Sequence, residues 1–248
     1  MAASTNNPCF IQPKNSDEKV WRYVDFTKYV AMLNSSSLFF SRADLLGDSF
    51  EGSYSRANLK LRPTVYKDIP KEKLGSMLNQ ISTASRAFVK YAYVNCWHNN
   101  ETESAAMWKM YTKSNEAVAI QSSYSKLLNV LPEEVFIGLV NYIDYDKDWL
   151  PEGNLFYPFM HKRKSFSYEN EVRAIKLEFP SPKNKLEPAL INSKPGINFK
   201  VNLERLIENI YVAPTAPEWY YRLVDDITKK FKYHFKIQYS KLDENPVY

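Results

Sequence analysis

Between Tyr168 and Leu177 polar and apolar residues alternate, so Glu169, Glu171 and Arg173 project from one side of a predicted strand and Val172 and Ala174 from the other. The same kind of reading assigns strands to Val20–Val24, Leu38–Ser41, Tyr91–Trp97, Asn115–Ser122 and Val135–Ile143, all rich in β-branched and aromatic residues. Helical spacing governs the segments between them. Phe26, Tyr29, Val30 and Leu33 form one stripe behind Asp25, which reads as an N-cap. Leu74, Met77, Leu78, Ile81, Ala84 and Phe88 form another stripe across residues 71–90.

Helices are also expected over 101–112, over 155–164 with a basic last turn, over 203–208 and over 217–231. Short strands follow at 197–201, 209–212 and 235–239, and the proline-bearing stretch 180–196 reads as an exposed loop. Residues 1–19 read as a loosely ordered lead-in to one domain over 20–248. The elements assemble into a single α+β domain with a central, largely antiparallel sheet and a helical insertion near 53–90.

Composition narrows this picture. The 248 residues are 44% hydrophobic and 25% charged, as in ordinary globular proteins, and can bury a sizeable core. Only six glycines are present, and neither GxGxxG nor GxxxxGK[ST] occurs, so the standard nucleotide-binding loops are excluded. A net charge of +5 permits contact with nucleic acid or a dinucleotide without requiring it. Cys9 and Cys96 have neither disulfide-framework nor zinc spacing. With no apolar leader and no stretch of membrane-spanning length, a cytoplasmic location and no membrane partner are expected.

The candidate chemistry clusters around the alternating strand. Two carboxylates and a guanidinium on one face, close behind the basic run His161–Lys164, suit either a site or a polar sheet face with a cross-strand ion pair. The loop after the second strand, Arg42 to Gly52, places Asp48 and Glu51 on the rim of a cleft, or else is turn chemistry alone. Arg173 needs a carboxylate partner, with Glu51 or Asp48 the candidates. His98 and His161 read as structural or surface groups.

Taken in order, Trp21-Arg22-Tyr23, Leu38-Phe39-Phe40-Ser41-Arg42, Gly47-Asp48-Ser49-Phe50-Glu51-Gly52, Cys96-Trp97, Met107-Trp108-Lys109-Met110-Tyr111 and His161-Lys162-Arg163 leading to Tyr168-Glu169-Asn170-Glu171-Val172-Arg173 form a pattern. From about residue 20 onward it resembles a widespread prokaryotic family described as a domain of unknown function. That family carries Phe-Asn-Asp-Pro-Phe-Glu, Met-Trp-x-x-Tyr and Lys…Tyr/Trp-x-Glu-x-Glu-x-Arg motifs, and this chain departs at Gly47-Asp48-Ser49-Phe50. The resemblance implies a shared fold and polar cluster, with no established reaction.

Two function classes are expected from these residues. In the first, the plan is similar to ADP-ribosyltransferases, with NAD as substrate and no required cofactor. That analogy implies Glu171 as the catalytic carboxylate, Glu169 as the acceptor-orienting one, Arg22 as the phosphate or ribose anchor and Ser41 as a supporting hydroxyl. Arg173, Asp48, Glu51, Trp97, Trp108 and Tyr111 complete the substrate-binding set. In the second, the chain is a non-catalytic or nucleic-acid-facing module of a stress or phage-defence system, reading bases and phosphates with Lys162, Arg163, Lys164, Arg173 and the aromatics Trp97, Trp108 and Tyr111. A Mg²⁺-dependent variant would use Asp48, Glu51, Glu169 and Glu171, although the spacing carries no metal signature.

Overall fold

Alternation on β1 (Lys19–Asp25) points Val20 and Val24 to one face of a sheet and Trp21 and Tyr23 to the other. A computed structural model of the chain describes residues 7–179, 194–244 and 246. Its main sheet also contains β2 (Ser37–Arg42), β3 (Ala92–Asn99), β4 (Ala117–Ser123), β5 (Phe136–Leu139) and β8 (Glu171–Leu177). It is completed by β9 (Gly196–Lys200), β10 (Asn209–Val212) and β11 (Lys236–Tyr239). The order is β11-β10-β4-β1-β3-β2-β9, with β8 also paired to β3 and β5 to β8. Within this sheet only the β10–β11 pair is parallel, so the expected α+β class with a largely antiparallel sheet is observed. A second, two-stranded sheet pairs β6 (Asn141–Ile143) with β7 (His161–Arg163).

Three strands crowd around β3. β8 takes one edge along its whole length, from Ala92 opposite Leu177 to His98 opposite Glu171. The other edge is shared: β2 pairs at Tyr93 and Val94, whereas β1 pairs at His98 and Asn99. Asn95, Cys96 and Trp97 therefore sit at a fork between β1 and β2. Side chains bridge the fork, because the Asn95 amide and the Arg22 guanidinium both donate to the Phe39 carbonyl, at 2.9 and 3.4 Å.

One sheet face is covered by α1 (Phe26–Ser35) and the C-terminal helix Glu218–Lys230, whose Tyr220 and Val224 pack on Tyr29, Val118 and Trp97's cluster. On the opposite face Phe159, Met160, Val94 and Ile175 form one core, and Trp21, Tyr23, Met107 and Trp108 of α4 (Ala105–Tyr111) form another. The insertion comprises α2 (Arg56–Val65) and α3 (Lys71–Phe88). A short helix α5 (Tyr124–Val130) follows β4, its N-cap Ser123 accepting from the Lys126 amide at 3.4 Å.

Asp25 occupies the N-cap of α1 as expected, although its carboxylate accepts from the Lys113 amide at 3.1 Å and makes no capping bond. Four expectations are corrected. The single strand expected over 135–143 breaks at Val140, and its halves β5 and β6 pair in different sheets. No helix spans 155–164. Pro158 removes an amide donor from its middle, and β6 recruits His161–Arg163 as a strand, leaving a 3₁₀ turn at Tyr157–Phe159. The strand expected from residue 168 starts only at Glu171, because Asn170 adopts left-handed backbone, φ 38°. The lead-in is not loose where it is described: Cys9 and Phe10 are buried, and Ile11 bridges to Leu139 at the β5 edge. Most of the loop expected at 180–196 lies outside the described residues, and so do residues 1–6.

Candidate functional site: a buried carboxylate–guanidinium cluster

The register of β3 and β8 sets Cys96 beside Arg173 and His98 beside Glu171, all on the face that carries Val94 and Ile175. Arg173 has no solvent exposure. A guanidinium there needs carboxylates, and two reach it from different parts of the chain. Glu171 takes Nε at 2.6 Å and Nη2 at 3.1 Å. Glu51, from the loop after β2, takes Nη1 and takes Nη2 at 3.1 Å, and the Phe159 carbonyl accepts from Nη1 at 2.5 Å.

Gly52 makes the delivery of Glu51 feasible. Its φ is +70°, and a Cβ there would lie 2.5 Å from the Phe159 ring. Parallel pairing of β6 with β7 brings in Lys162, whose ammonium binds Glu169 and lies 3.6 Å from Glu171 Oε2. The Tyr111 hydroxyl, at the end of α4, donates to Glu169 Oε1 at 3.0 Å. The Glu171 amide donates to the Tyr142 hydroxyl at 2.9 Å. Arg163 continues the network outward: Nη2 binds Asp48 at 2.6 Å, and its guanidinium lies over the rings of Phe50 and Phe166, at 4.3 and 5.1 Å.

Burial and charge pull on these groups in opposite directions. Burial alone would raise the Glu171 pKa, but the Arg173 charge, its hydrogen bonds and Lys162 bring it down to about 2. Glu51 shares the same guanidinium, yet for it desolvation wins and the pKa is raised. We assign Arg173's charge chiefly to Glu171, which also feels the Lys162 charge 3.6 Å away and has the Cys96 thiol as a donor. Burial pushes that thiol well above its ordinary range, with the Glu171 charge adding to the shift, so Cys96 is a protonated donor and not a nucleophile. Tyr111 is shifted up by burial of its hydroxyl and by Glu169 and Glu171, although its ring is 47% exposed. The phenol therefore caps the cluster at the surface.

The expected site residues divide clearly. Asp48, Glu51, Glu169, Glu171, Arg173 and Tyr111 come together. Arg173 pairs with Glu51, and Asp48 pairs with Arg163 instead. Glu169 precedes the strand, in a 3₁₀ turn, and joins the cluster only through Lys162 and Tyr111. Arg22 does not share the Glu171 face. Strand alternation places it with Ile120 on the opposite side, over the Trp97 indole at 5.9 Å. Its Nη1 is sealed from solvent and has no hydrogen-bond partner among the described residues, and burial lowers its pKa.

Trp97, likewise on that opposite face, donates to Asn95 at 2.6 Å, and Trp108 donates to Glu103 at 3.0 Å in a separate core. Neither belongs to the cluster. Ser41 lies on the cluster's side of the sheet, and among the described residues its hydroxyl bonds only the Arg42 carbonyl, at 3.4 Å. His161 is buried and bonded to the Tyr157 carbonyl at 2.8 Å, while His98 meets the Glu169 carbonyl at 2.6 Å.

Lys162, Arg163, Tyr142 and Cys96 belong to the cluster although the dinucleotide reading gave them no role. The sequence marked Lys162 and Arg163 as cations of a basic run and Cys96 as part of a Cys-Trp pair, and neither signal names a carboxylate partner. A cavity of about 150 Å³ lies beyond Gly52, under α3, but its lining of Ile81, Ala84, Phe88, Leu155 and Phe159 is apolar and it is distinct from the polar cluster. Among the described residues, no three His, Cys, Asp or Glu side chains are arranged to hold a metal ion, and the carboxylates of the Mg²⁺ variant each face a cation.

Comparison with protein-family models, curated proteins and solved structures returns no match. Functional assignment therefore rests on the geometry of this cluster. Among the described residues no helix is long and apolar enough to cross a membrane.

Proposed function

We propose that the protein acts on NAD or a related dinucleotide, breaking the nicotinamide–ribose bond with Glu171 as the charge that stabilises the oxocarbenium ion. The observation that supports this is Glu171 itself. It is an internal carboxylate held ionised down to about pH 2, and two side chains, Lys162 and Glu169, link it to Tyr111 at the edge of the cluster. A fixed negative charge in a water-poor site stabilises a developing cation more strongly than one in solvent.

In this reading the C1′–N bond breaks and its electron pair leaves with nicotinamide. An acceptor hydroxyl then attacks C1′ and loses its proton to Glu169, whose partner Tyr111 swings aside. The test is nicotinamide release by the purified chain. Release by wild type that vanishes in Glu171→Gln supports the reading, and absence of both release and NAD binding refutes it.

A second reading, a nucleic-acid-facing module in a stress or phage-defence system, is favoured by one other feature. Arg163 stands between Phe50 and Phe166, Lys162 lies 4.8 Å from the Phe166 ring, and Tyr168 beside them is exposed. Cations set among stackable rings suit single-stranded bases and phosphates. Salt-sensitive oligonucleotide binding lost in Phe166→Ala, without nicotinamide release, would select it.

A further inference from the structure

The α2–α3 insertion is chemically unlike the rest of the chain. Between Arg56 and Lys90 eight Lys and Arg stand against two acidic residues, Asp68 and Glu72, a net +6 where the entire chain has +5. The remainder of the protein is thus slightly acidic, and the positive charge is concentrated on one helical pair. Arg56 and Arg62 are committed, to Asp146 and Glu152. Lys60, Lys67, Lys73, Arg86 and Lys90 are exposed and make no ion pair among the described residues.

Apolar side chains accompany that charge. Leu59, Leu61 and Val65 of α2 are 62%, 43% and 51% exposed, with Lys60 between the first two. All of α3, 18 residues long, lacks a single fully buried side chain among those described, and the small apolar cavity lies beneath its second half. The helical pair therefore gives up little apolar contact to the body and presents aliphatic side chains next to lysines.

We infer that the α2–α3 face docks on an anionic lipid surface, lying in the headgroup layer with Leu61 and Val65, one helical turn apart on the same side of α2, inserted and the lysines on lipid phosphates and carboxylates. Basic residues beside exposed aliphatics are the composition of interfacial helices. A nucleic-acid surface fits less well, since the exposed large apolar residues here are aliphatic, and stacking on bases needs aromatic rings. The docking is adsorption at the surface, not insertion across the bilayer, in keeping with the absence, among the described residues, of a helix long and apolar enough to cross a membrane.

The experiment is co-sedimentation of the full chain with phosphatidylcholine vesicles with and without about 30 mol% phosphatidylserine, at low and at physiological salt. Binding to the anionic vesicles should exceed binding to neutral ones by about tenfold and weaken with salt. Leu61→Gln with Val65→Gln, and separately Lys60→Glu with Lys67→Glu, should each reduce it about fivefold or more while leaving thermal unfolding unchanged, because these side chains are exposed. Two results overturn the inference: no preference for anionic vesicles at low salt, or binding to oligouridylate as tight as to vesicles and indifferent to the Leu61 and Val65 changes. Nicotinamide release is unaffected by either pair, so failure here is distinguishable from failure of the dinucleotide reading.

Discussion

Glu171 and Arg173, two residues apart on one strand, grip each other through two hydrogen bonds, Nε to Oε1 at 2.6 Å and Nη2 to Oε2 at 3.1 Å. Neighbours on the same strand face are ordinarily too far apart for short side chains, but a guanidinium can fold back along the strand. It does so here because Glu51 and the Phe159 carbonyl hold its other end. The pair is a preorganised unit with its charges fixed in the interior. Arranging those charges costs stability that the attraction regains only while every member is present.

Truncating the guanidinium tests this dependence. Arg173→Met leaves Glu51 and Glu171 buried without their main cation and should cost about 3–5 kcal/mol in urea unfolding. Arg173→Lys should recover only part, since an ammonium cannot span two carboxylates bidentately. A loss below about 1 kcal/mol would show that the carboxylates find other partners or solvent.

Acid should weaken the fold in a defined window. The Glu171 pKa is about 2 in the folded chain against an ordinary 4.5, so the unfolded state takes up its proton first as pH falls. The stability this group contributes is complete above about pH 4.5 and is lost progressively toward pH 2. Urea midpoints measured across that range should fall less steeply for Glu171→Gln than for wild type. Parallel slopes would refute the assignment.

Chemistry separates the two glutamates. Glu171→Gln should abolish nicotinamide release with little loss of NAD affinity, because it removes the charge that acts only in the transition state. Glu169→Gln should slow transfer to an acceptor and spare NAD hydrolysis. Both variants must be compared as folded protein, checked by near-ultraviolet circular dichroism.

Gly52→Ala probes the loop that delivers Glu51. A left-handed backbone and a ring 2.5 Å from the new methyl both oppose the change, so a destabilisation of about 1–3 kcal/mol is expected in thermal or urea unfolding. An unchanged midpoint would mean that Phe159 shifts freely. That would contradict the Phe159 carbonyl's role as an Arg173 acceptor.

Local pattern alone determined most of the framework. Alternation marked β8, runs of apolar, β-branched and aromatic residues marked β1, β2, β3, β4 and β5, and 3.6-residue spacing marked α1 and α3, because these signals come from local preference and from which sides of a backbone are buried. Arg173 was also legible as a cation in need of a carboxylate, since a half-buried guanidinium has few alternatives. Which carboxylate met it was a tertiary decision: Asp48 and Glu51 lie three residues apart in one loop, and the turn at Gly52 sends one to Arg173 and the other to Arg163.

The faces of the sheet were settled the same way. Nothing local distinguishes Arg22 from Arg173 as strand cations, but the registers of β1 with β4 and of β3 with β8 put them on opposite sides. Lys162 became a cluster member only because β6 and β7 pair, where Pro158 prevented the helix its neighbours favour. Alternation and spacing depend on adjacent residues and survive in the sequence. Ion-pair partners and sheet faces depend on strand register and loop closure, which no single stretch of the chain encodes.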